Sequence, residues 1–600
     1  MRLVVQKFGG SSVANAEGVM AAARKAIRAK RMGNQVIVVV SARGDTTDNL
    51  IELAREITEK PPAREMDMLL STGEQISIAL MAMAIQSLGE KAISFTGAQV
   101  GIVTDSTHTK ARIKSISTSR MRKALEDGQI VIVAGFQGMD EDFNITTLGR
   151  GGSDTTAVAL AAVMKHDSQG PGLEVACDIF TDVDGVYTTD PRIVPEARKM
   201  EAISYDEMLE LASVGAGVMH SRSIEFAKKF DVPLQVRSSF SDSEGTWIVP
   251  EKEWMTLVPV CGAAMVREEA RISIEGVPDK PGISHQVFNA VSSRNIVVDM
   301  IAQSVGTNGK ANIGFTVHAN ELSVAVEVLQ PLADELGAKL FYDAQVSKVS
   351  VVGAGMRSHT GVAEKMFAAL VAENINLRMI TTGDIKISVL VNKEDADKAL
   401  GAVHRAFNLE KTRAQEPASP PATTNGKKYG RDLLAITQQL ASMEEILVSN
   451  IHASTDQGRI TLFGLPDRPG NCLKIFQAIA GHGIVVDMIV QNLSGEKADL
   501  SFSVPIPQIQ KALELAREVA KAIGADIHAS ADSDNATLYV LGVGMRSHTG
   551  VARKIFGTLA QEGINILMIN TSETCISVVV SQKQGELALA SLRAAFGLDA

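Results

Sequence analysis

The sequence has few cysteines, and those few form no pattern. Its 600 residues include only four, which make neither a C-x-x-C pair nor a disulfide framework: Cys177, Cys261, Cys472 and Cys575. Widely spaced thiols in a long chain are typical of reduced cysteines in a cytosolic protein. We therefore expect a cytoplasmic protein that does not depend on disulfide bonds.

Long apolar runs are also missing. None approaches the roughly 18 residues that a membrane span needs, and the N-terminus shows no apolar signal core behind a basic segment. We therefore expect a protein with no membrane partner.

Basic charge is scarcer than acidic charge. The chain has 59 lysines and arginines against 69 aspartates and glutamates, a formal net charge of −10, and no basic block. This balance argues against a nucleic-acid partner. Any anionic ligand must be held by a few local lysines, arginines and backbone N–H groups.

The size of the chain indicates several domains. A length of 600 residues corresponds to roughly three or four domains of ~150 residues. A content of 45% hydrophobic and 21% charged residues is that of ordinary globular proteins.

The first informative stretch begins at Leu3. A valine-rich apolar run predicts a buried strand, which ends in Lys7, Phe8, Gly9 and Gly10 before a helical pattern. Glycines let the backbone approach a ligand, and a helix start offers free N–H groups, so the segment is a candidate phosphate cradle. The P-loop has its lysine after the glycines, so this is not a P-loop. An ordinary strand–turn–helix corner is the alternative.

Strands and helices alternate through the first 250 residues. Buried-strand patterns cover Gln35 to Val40, Ala92 to Phe95, Ile130 to Ala134 and Val175 to Phe180, and helical patterns cover Asn15 to Ala29, Leu50 to Ile57 and Arg64 to Leu88. This alternation predicts an α/β domain whose mostly parallel sheet is covered on both faces. Ligands of such sheets bind beyond the carboxyl ends of the strands.

A second glycine-rich turn opens another helix. It contains Arg150, and Asp154 lies in the first helical turn, where a carboxylate is favourable whatever the function. Asp182 and Asp184 follow a strand, where acidic residues also serve as ordinary turn formers. Two glycine turns with Lys7, Arg150 and three aspartates together indicate two anionic ligands and Mg²⁺.

The chain shows no evident Ser-His-Asp or Cys-His set and no cluster with metal-ligand spacing. Phosphoryl transfer needs positioning and neutralised charge rather than covalent help from the protein. A carboxylate acceptor is already a nucleophile at neutral pH and would need no general base.

Four segments, in order, resemble the aspartate kinases of the amino-acid kinase superfamily. They are Val5 to Ser12, Ser71 to Glu74, Gly149 to Asp154 and Thr181 to Tyr187. The resemblance implies an open α/β sandwich that uses ATP, accompanied by Mg²⁺, to phosphorylate the side-chain carboxylate of L-aspartate. The product, 4-phospho-L-aspartate, leads toward lysine, threonine and methionine.

The resemblance also implies roles for individual residues. Lys7 would stabilise the transferring phosphoryl group, and Asp154 would orient Lys7. Glu74 would bind the aspartate amino group and Arg150 a carboxylate. The remaining substrate residues would be Ser41, Thr47, Gly151, Gly152 and Ser153, and the ATP site would comprise Lys7, Phe8, Gly9, Gly10, Thr181, Asp182, Asp184, Gly185 and Tyr187.

The second half of the chain is a duplicated block. Gly355 to Ala363 recurs letter for letter at Gly544 to Ala552, and Ile296 to Ile301 recurs at Ile484 to Ile489. Residues 415–430, rich in Pro, Ala, Thr, Asn and Lys, predict an exposed linker between the copies.

Each block repeats internally with a strand–helix–strand–strand–helix–strand order, a ferredoxin-like pattern. These units resemble ACT domains, four in two tandem pairs. The expected boundaries are 1–245 for the kinase domain, 246–414 for the first pair (268–345 and 346–410) and 431–600 for the second (456–532 and 535–600). The second unit of each block lacks a last strand, which 257–262 and 446–451 would supply, so we predict interleaved pairs.

The resemblance implies feedback inhibition by lysine, threonine or both, and a homodimer formed through the ACT domains. One effector site would lie near Asp279, Gly282, Gln303 and Asn376, and its duplicate near Asp467, Gly470, Gln491 and Asn565. A second class of pocket would be framed by Met356 to Gly361 and by Met545 to Gly550. The alternatives are a kinase for another carboxylate and a catalytically silent amino-acid sensor.

Overall fold

The chain divides into two regions. The α/β region has its last strand ending at Val249, and a region of four small units has its first strand beginning at Gly262. The computed structural model describes residues 2–166, 174–305, 309–412, 448–495, 497–545 and 549–598. The predicted linker at 415–430 lies outside these residues.

The α/β region contains twelve described strands and seven described α-helices. The strands are β1 Arg2–Phe8, β2 Gln35–Val40, β3 Ala92–Phe95, β4 Ile102–Thr104, β5 Ile113–Ile116, β6 Ile130–Ala134, β7 Gln137–Met139, β8 Ile145–Thr147, β9 Glu174–Thr181, β10 Ala202–Ser204, β11 Leu234–Ser238 and β12 Thr246–Val249. The helices are α1 Ala16–Arg31, α2 Thr46–Ile57, α3 Ala63–Ser87, α4 Ser119–Glu126, α5 Gly152–His166, α6 Tyr205–Ser213 and α7 Ser221–Phe230.

Eight of these strands form one sheet in the order β10-β12-β11-β9-β1-β2-β6-β3. Among the described strands of this sheet, only β11 and β12 are antiparallel neighbours. The predicted mostly parallel sheet is confirmed. Because β1 lies between β2 and β9, the segments that follow all three strands meet at one edge.

Helix α3 is long and apolar enough to cross a membrane by length and composition. It packs instead against α1, β3, β6 and β8, and it carries the buried carboxylates of Asp67 and Glu74. Its apolar character reflects this burial in part, since Met68, Ile76 and Met83 of the same helix are exposed.

The second region contains fourteen described strands and eight described α-helices. The strands are β13 Gly262–Pro278, β14 Ile301–Val305, β15 Lys310–His318, β16 Lys339–Val352, β17 Met379–Thr382, β18 Lys386–Asn392, β19 Val448–Ser454, β20 Gln457–Pro466, β21 Ile489–Ser494, β22 Lys497–Pro505, β23 His528–Asp532, β24 Asn535–Gly542, β25 Met568–Thr571 and β26 Cys575–Ser581. The helices are α8 Ile283–Ser292, α9 Leu322–Glu335, α10 Val362–Ala372, α11 Ala396–Ala406, α12 Asn471–Ala480, α13 Ile509–Ile523, α14 Thr549–Gln561 and α15 Gln582–Phe596.

We number the four units in chain order. Units 1 and 2 share two long strands end to end, because β13 and β16 each run through both units. The prediction of a strand at 257–262 is wrong in its position. Residues Glu253–Leu257 form a 3-10 helix, Pro259 follows, and the strand begins at Gly262. In the second block, β19 begins the described chain at Val448 and pairs with β24 of unit 4.

The two blocks pack against each other crosswise. Unit 2 joins unit 3 through antiparallel β17 and β21 and through α10 and α12, and unit 1 contacts unit 4 through α8 with α14 and β14 with β25. Aromatic contacts seal both interfaces, with ring centroids 5.3 Å apart for Phe288 and Phe556 and 5.5 Å for Phe367 and Phe476. Units sharing strands end to end cannot bring their own helix faces together, so each face is covered by the other block.

Removing the second block should therefore make the shortened chain, residues 1–412, self-associate. The change uncovers the faces around Phe288 and Phe367, which are buried in the full chain. Unit 2 of another copy carries the same motif as unit 4 and can cover unit 1, and exposed apolar faces favour such association. Light scattering across micromolar concentrations, with the full chain as control, would show a mass that rises with concentration. A constant mass of one copy would contradict this prediction.

Candidate active site and effector sites

The centre of the candidate site is an ion pair between two glycine turns. Lys7 is the penultimate residue of β1 and Asp154 lies in the first turn of α5, with Lys7 Nζ 2.7 Å from Asp154 Oδ1. Their side chains are only 11% and 13% exposed. The sheet thus brings together the two residues that the resemblance assigned to catalysis.

The turn after β1 requires glycine at Gly10 for steric reasons and leaves the space beside Lys7 free at Gly9. A Cβ on Gly10 would lie 2.8 Å from the carbonyl oxygen of Ala42, and one on Gly9 would lie 3.5 Å from Lys7 Nζ. Phe8 stacks on Phe180 at 4.7 Å, which ties the end of β1 to the end of β9. The backbone therefore stays open directly beside the lysine, as a phosphate group would need.

Glu74 is buried where β2 meets α3. Its Oε1 accepts a hydrogen bond from the N–H of Ala42 at 3.0 Å, beside half-buried Ser41. Desolvation by burial raises the pKa of Glu74 to about 7, and the Ala42 hydrogen bond opposes this rise. Thr47 lies nearby in sequence, in the first turn of α2, which begins at Thr46 rather than at the predicted Leu50.

The second glycine turn is held by α7. Gly149 and Gly151 have φ values of 77° and 73°, and a Cβ on Gly151 would lie 2.4 Å from that of His220. Arg222 donates hydrogen bonds to the carbonyls of Leu148 and Ala111. The turn leaves Arg150 exposed and Gly152 and Ser153 buried at the start of α5.

The proposed nucleotide segment follows β9. Thr181 donates to Asp182 at 3.0 Å, and the hydroxyl of Tyr187 donates to Asp184 at 3.0 Å. The buried Gly185, with φ 154°, packs against Thr246, where a Cβ would lie 2.6 Å from the hydroxyl oxygen. These contacts shape a polar turn at the same sheet edge as Lys7.

Sequence reasoning missed Lys199, His220 and Arg222. Lys199 Nζ lies 3.5 Å from Asp184 Oδ2 and donates to Ser243 at 2.8 Å. Neither Lys199 nor the α7 pair stands in a glycine-rich motif, so composition and spacing offered no signal for them.

A resident metal ion does not fit the described residues. They contain no group of three or more histidine, cysteine, aspartate or glutamate side chains able to hold one. Mg²⁺ is commonly held by one or two carboxylates together with substrate phosphates. Asp182, which is exposed, and Asp184, whose side chain is 40% exposed, suit that shared arrangement.

Comparisons with known proteins agree with this geometry. A model of the amino acid kinase family matches residues 2–238, and an ACT domain model matches residues 272–331, 349–407 and 538–596. An aspartate kinase of Pseudomonas putida is 49% identical over 412 residues, which are 68% of this chain and 98% of that protein. The chain belongs to the aspartate kinase family.

Solved aspartate kinases share the fold. The enzyme of Synechocystis is 38% identical, with 99% of this chain and 98% of that chain covered and a TM-score of 0.51. Aspartokinase III of E. coli is 25% identical over 68% of this chain and 99% of its own. Its structures are an R-state with aspartate and ADP, TM-score 0.56, and a T-state with lysine and aspartate, TM-score 0.52.

In this aspartate kinase, the residues predicted for the first class of effector site lie between ACT units of different blocks. At the interface of units 2 and 3, Asp467 accepts from Asn376 at 2.7 Å and from Arg378 at 2.9 Å. Gln491 donates to the carbonyl of Leu377, and Gly470 caps α12 with φ 91°.

The second site lies between units 1 and 4. Asn565 donates to Asp279 at 2.8 Å, Gln303 donates to the carbonyl of Ile566 at 2.6 Å, and Gly282 caps α8 with φ 90°. Leu567 stands where Arg378 stands in the other copy. Asp279 therefore lacks the arginine that engages Asp467.

The predicted grouping of these residues is wrong in one respect. The sequence placed Asn376 with Asp279 and Asn565 with Asp467, whereas the structure exchanges the two asparagines. Because units 1 and 2 join end to end through β13 and β16, each aspartate faces the asparagine of the other block.

Double-mutant cycles can test the exchange. Asn565→Ala and Asp279→Ala should couple by about 0.5–3 kcal/mol in the free energy of unfolding, since the groups touch. Asn565→Ala and Asp467→Ala serve as the matched pair and should be additive. Urea unfolding measures both cycles, and the reverse pattern would support the grouping expected from sequence.

The second class of pocket is a cavity of about 300 Å³ between units 2 and 3. Residues Met356 to Glu364 line one side, with Asp384 and Asp487 contributing carboxylates. Burial raises the pKa of Asp487, whose carboxylate accepts from the Tyr539 hydroxyl at 3.0 Å. Of the duplicate, Met545 and Gly550 are described, while residues 546–548 lie outside the described chain.

Proposed function

We propose that this chain transfers the γ-phosphoryl group of ATP to the side-chain carboxylate of L-aspartate. The observation that carries the proposal is the buried pair of Lys7 and Asp154 between two open glycine turns. E. coli aspartokinase III, of the same fold, binds aspartate and ADP. A carboxylate acceptor agrees with a site built for positioning and charge neutralisation.

Each residue then has a defined task. Lys7 places its ammonium group against the phosphoryl oxygens as negative charge shifts onto them, and Asp154 holds that group in place. Glu74 binds the ammonium group of aspartate in its ionised form, with Ser41 and Thr47 lining the site. Arg150, the exposed residue of the second turn, binds a carboxylate of the substrate.

The nucleotide occupies the edge between β1 and β9. Gly9 and Gly10 leave room for phosphates beside Lys7, and Thr181 to Tyr187 form the polar wall. Gly151 to Ser153, at the start of α5, belong with Arg150 to the aspartate side of the site. Asp182 and Asp184 would hold the Mg²⁺ that accompanies ATP, and the ion would neutralise phosphate charge.

Regulation by lysine and threonine is the second part of the proposal. Lysine is a ligand of the T-state of E. coli aspartokinase III. Of the second-class pockets, the cavity between units 2 and 3 suits a cationic amino acid, since Glu364 and Asp487 line it as well as Asp384, which already pairs with Arg357. Asp299, the residue of the first block that is equivalent to Asp487, pairs with buried Lys348, so its charge is already neutralised.

The first class of site recognises the amino acid backbone. An effector carboxylate would meet the N–H groups at the start of α8 or α12, and its ammonium group would meet Asp279 or Asp467. Of the two aspartates, Asp279 is the favoured partner for the effector ammonium group, because Arg378 competes for Asp467.

We also propose the expected division of the chain at 1–245, 246–414 and 431–600. The protein would be a cytoplasmic homodimer formed through its ACT domains, catalysing the first step toward lysine, threonine and methionine.

The test is ATP consumption with L-aspartate as acceptor, alone and with lysine, threonine or both. Aspartate-dependent turnover that falls with an effector would support the kinase and its regulation. Turnover without inhibition would support the kinase activity and refute lysine and threonine as effectors. A folded protein without aspartate-dependent turnover would refute the kinase and favour a silent sensor.

A further inference from the structure

The two blocks present equivalent turns to one point of the kinase domain. The turn between β17 and β18 in unit 2 and the turn between β25 and β26 in unit 4 both follow a Met-Ile-x-Thr sequence. A Cβ on Gly383 would lie 3.3 Å from the Cβ of Ser572. The turns of the two ACT pairs therefore meet each other.

Both turns bind the carboxylate of Glu210 on α6. Lys386 Nζ lies 2.8 Å from Glu210 Oε2, and the backbone N–H of Glu573 donates to Glu210 Oε1 at 2.8 Å. Glu210 is 0% exposed and Lys386 is 3% exposed. One buried kinase carboxylate thus contacts both regulatory pairs, through a side chain of one and the backbone of the other.

Helix α6 also contacts the wall of the effector cavity. Glu207, one turn before Glu210, accepts from the N–H of Ala354 at 3.1 Å, just before the segment that begins at Met356. Gly383 and Asp384, beside Lys386, line the same cavity. An effector bound there would touch both segments that α6 holds.

Helix α6 leads to the active site through α7. Leu209 and Leu211 of α6 and Ile224 of α7 belong to one buried core cluster. Helix α7 also carries Arg222, which binds the carbonyl of Leu148 at the start of the turn that presents Arg150. Movement of α6 therefore reaches the substrate turn through packed elements.

A buried ion pair makes this connection stiff. Separating Lys386 from Glu210 would leave two uncompensated charges away from water, which is strongly destabilising. A displaced turn would therefore carry α6 with it.

We propose that Glu210 is a positioning residue through which both ACT pairs act on the substrate turn. This inference rests on the proposed regulation by amino acids and goes beyond it, since it assigns one kinase residue to both effector signals. It also gives the duplicated block a task, because unit 4 supplies the second contact.

The test compares two double variants with the wild type. Glu210→Leu with Lys386→Met replaces the charged pair by apolar side chains and removes both contacts. Glu210→Gln with Lys386→Met removes the lysine contact but keeps an oxygen that accepts from the Glu573 N–H. The control, Glu268→Gln with Lys393→Met, removes an exposed ion pair of the same region whose atoms lie 2.9 Å apart.

The readout is binding linkage. Calorimetry measures the Kd of lysine and of threonine with and without saturating aspartate and a non-hydrolysable ATP analogue. Coupling of this kind changes affinity by about 5- to 150-fold in allosteric proteins. For each effector we take the ratio of the Kd without aspartate and the ATP analogue to the Kd with them. We expect this ratio to approach one for both effectors in the leucine variant and for one effector in the glutamine variant, with basal turnover preserved.

Linkage that persists for both effectors in a folded leucine variant would overturn the role of Glu210. If that variant does not fold, undiminished linkage for both effectors in the near-isosteric glutamine variant has the same meaning, since one of the two should be lost there. A wild-type enzyme without any linkage would instead refute the regulation itself, and the inference with it.

Discussion

Lys7→Met should lower kcat by about 10²- to 10³-fold, since preorganised charge at a reacting phosphoryl group commonly contributes that much. Methionine keeps most of the length of the side chain but removes the ammonium group that lies 2.7 Å from Asp154. The KM for aspartate should change little, because the residues proposed to bind aspartate are Glu74 and Arg150 rather than Lys7. Steady-state kinetics with varied ATP and aspartate measures both constants.

The variant needs a control for stability. Removing Lys7 leaves Asp154 poorly solvated and unpaired, which can cost about 3–5 kcal/mol in a buried pair. Adding Asp154→Asn should restore the melting temperature without restoring turnover. Lys30→Met, which removes an ion pair with Glu90 far from the site, should leave turnover unchanged. Full activity in folded Lys7→Met would exclude Lys7 from the chemistry.

Glu74→Gln should weaken the binding of aspartate and, at the same time, stabilise the folded protein. The amide cannot pair with the substrate ammonium group, and loss of a charge-assisted hydrogen bond worth about 1.5–3 kcal/mol raises the KM by roughly 10- to 100-fold. Glutamine still accepts from the N–H of Ala42, so the local backbone is retained.

The stability change has a definite pH dependence. Burial raises the pKa of Glu74 from 4.5 to about 7, so the folded protein binds a proton there that the unfolded chain releases. The wild type therefore loses stability as the pH rises from 4.5 to 7, and the full cost of about 3 kcal/mol remains above pH 7. Glu74→Gln removes this cost.

Thermal melts at two pH values check the prediction. The variant should melt above the wild type at pH 8 and together with it near pH 4.5. The wild-type KM for aspartate should also rise as the pH falls below 7, since the protonated carboxyl no longer attracts the substrate. A variant less stable than the wild type at pH 8 would show that Glu74 is not desolvated in the free enzyme.

The α/β region was largely predictable because its strands are buried on both faces. Gln35–Val40 and Ile130–Ala134 were predicted with the bounds that the structure has, since runs of valine and isoleucine suit only strands of this kind. The first turn of α2, from Thr46, was not predicted, because it is polar and carries no apolar periodicity.

The candidate site was predictable where a motif marked it. The glycines beside Lys7 and Asp154 have a steric purpose that the sequence displays. Lys199, His220 and Arg222 carry no such mark, because they act through contacts made by the packing of distant segments. No pattern within a segment can show which carbonyl an arginine will bind.

The sequence by itself determined the order of elements, the two glycine turns, the duplicated ACT blocks and the family to which the chain belongs. Only the tertiary structure decided which copies meet. The blocks carry the same motifs, so local sequence cannot tell whether Asn376 or Asn565 faces Asp279. The shared strands β13 and β16 decide it, because they hold units 1 and 2 end to end and leave each helix face to the other block.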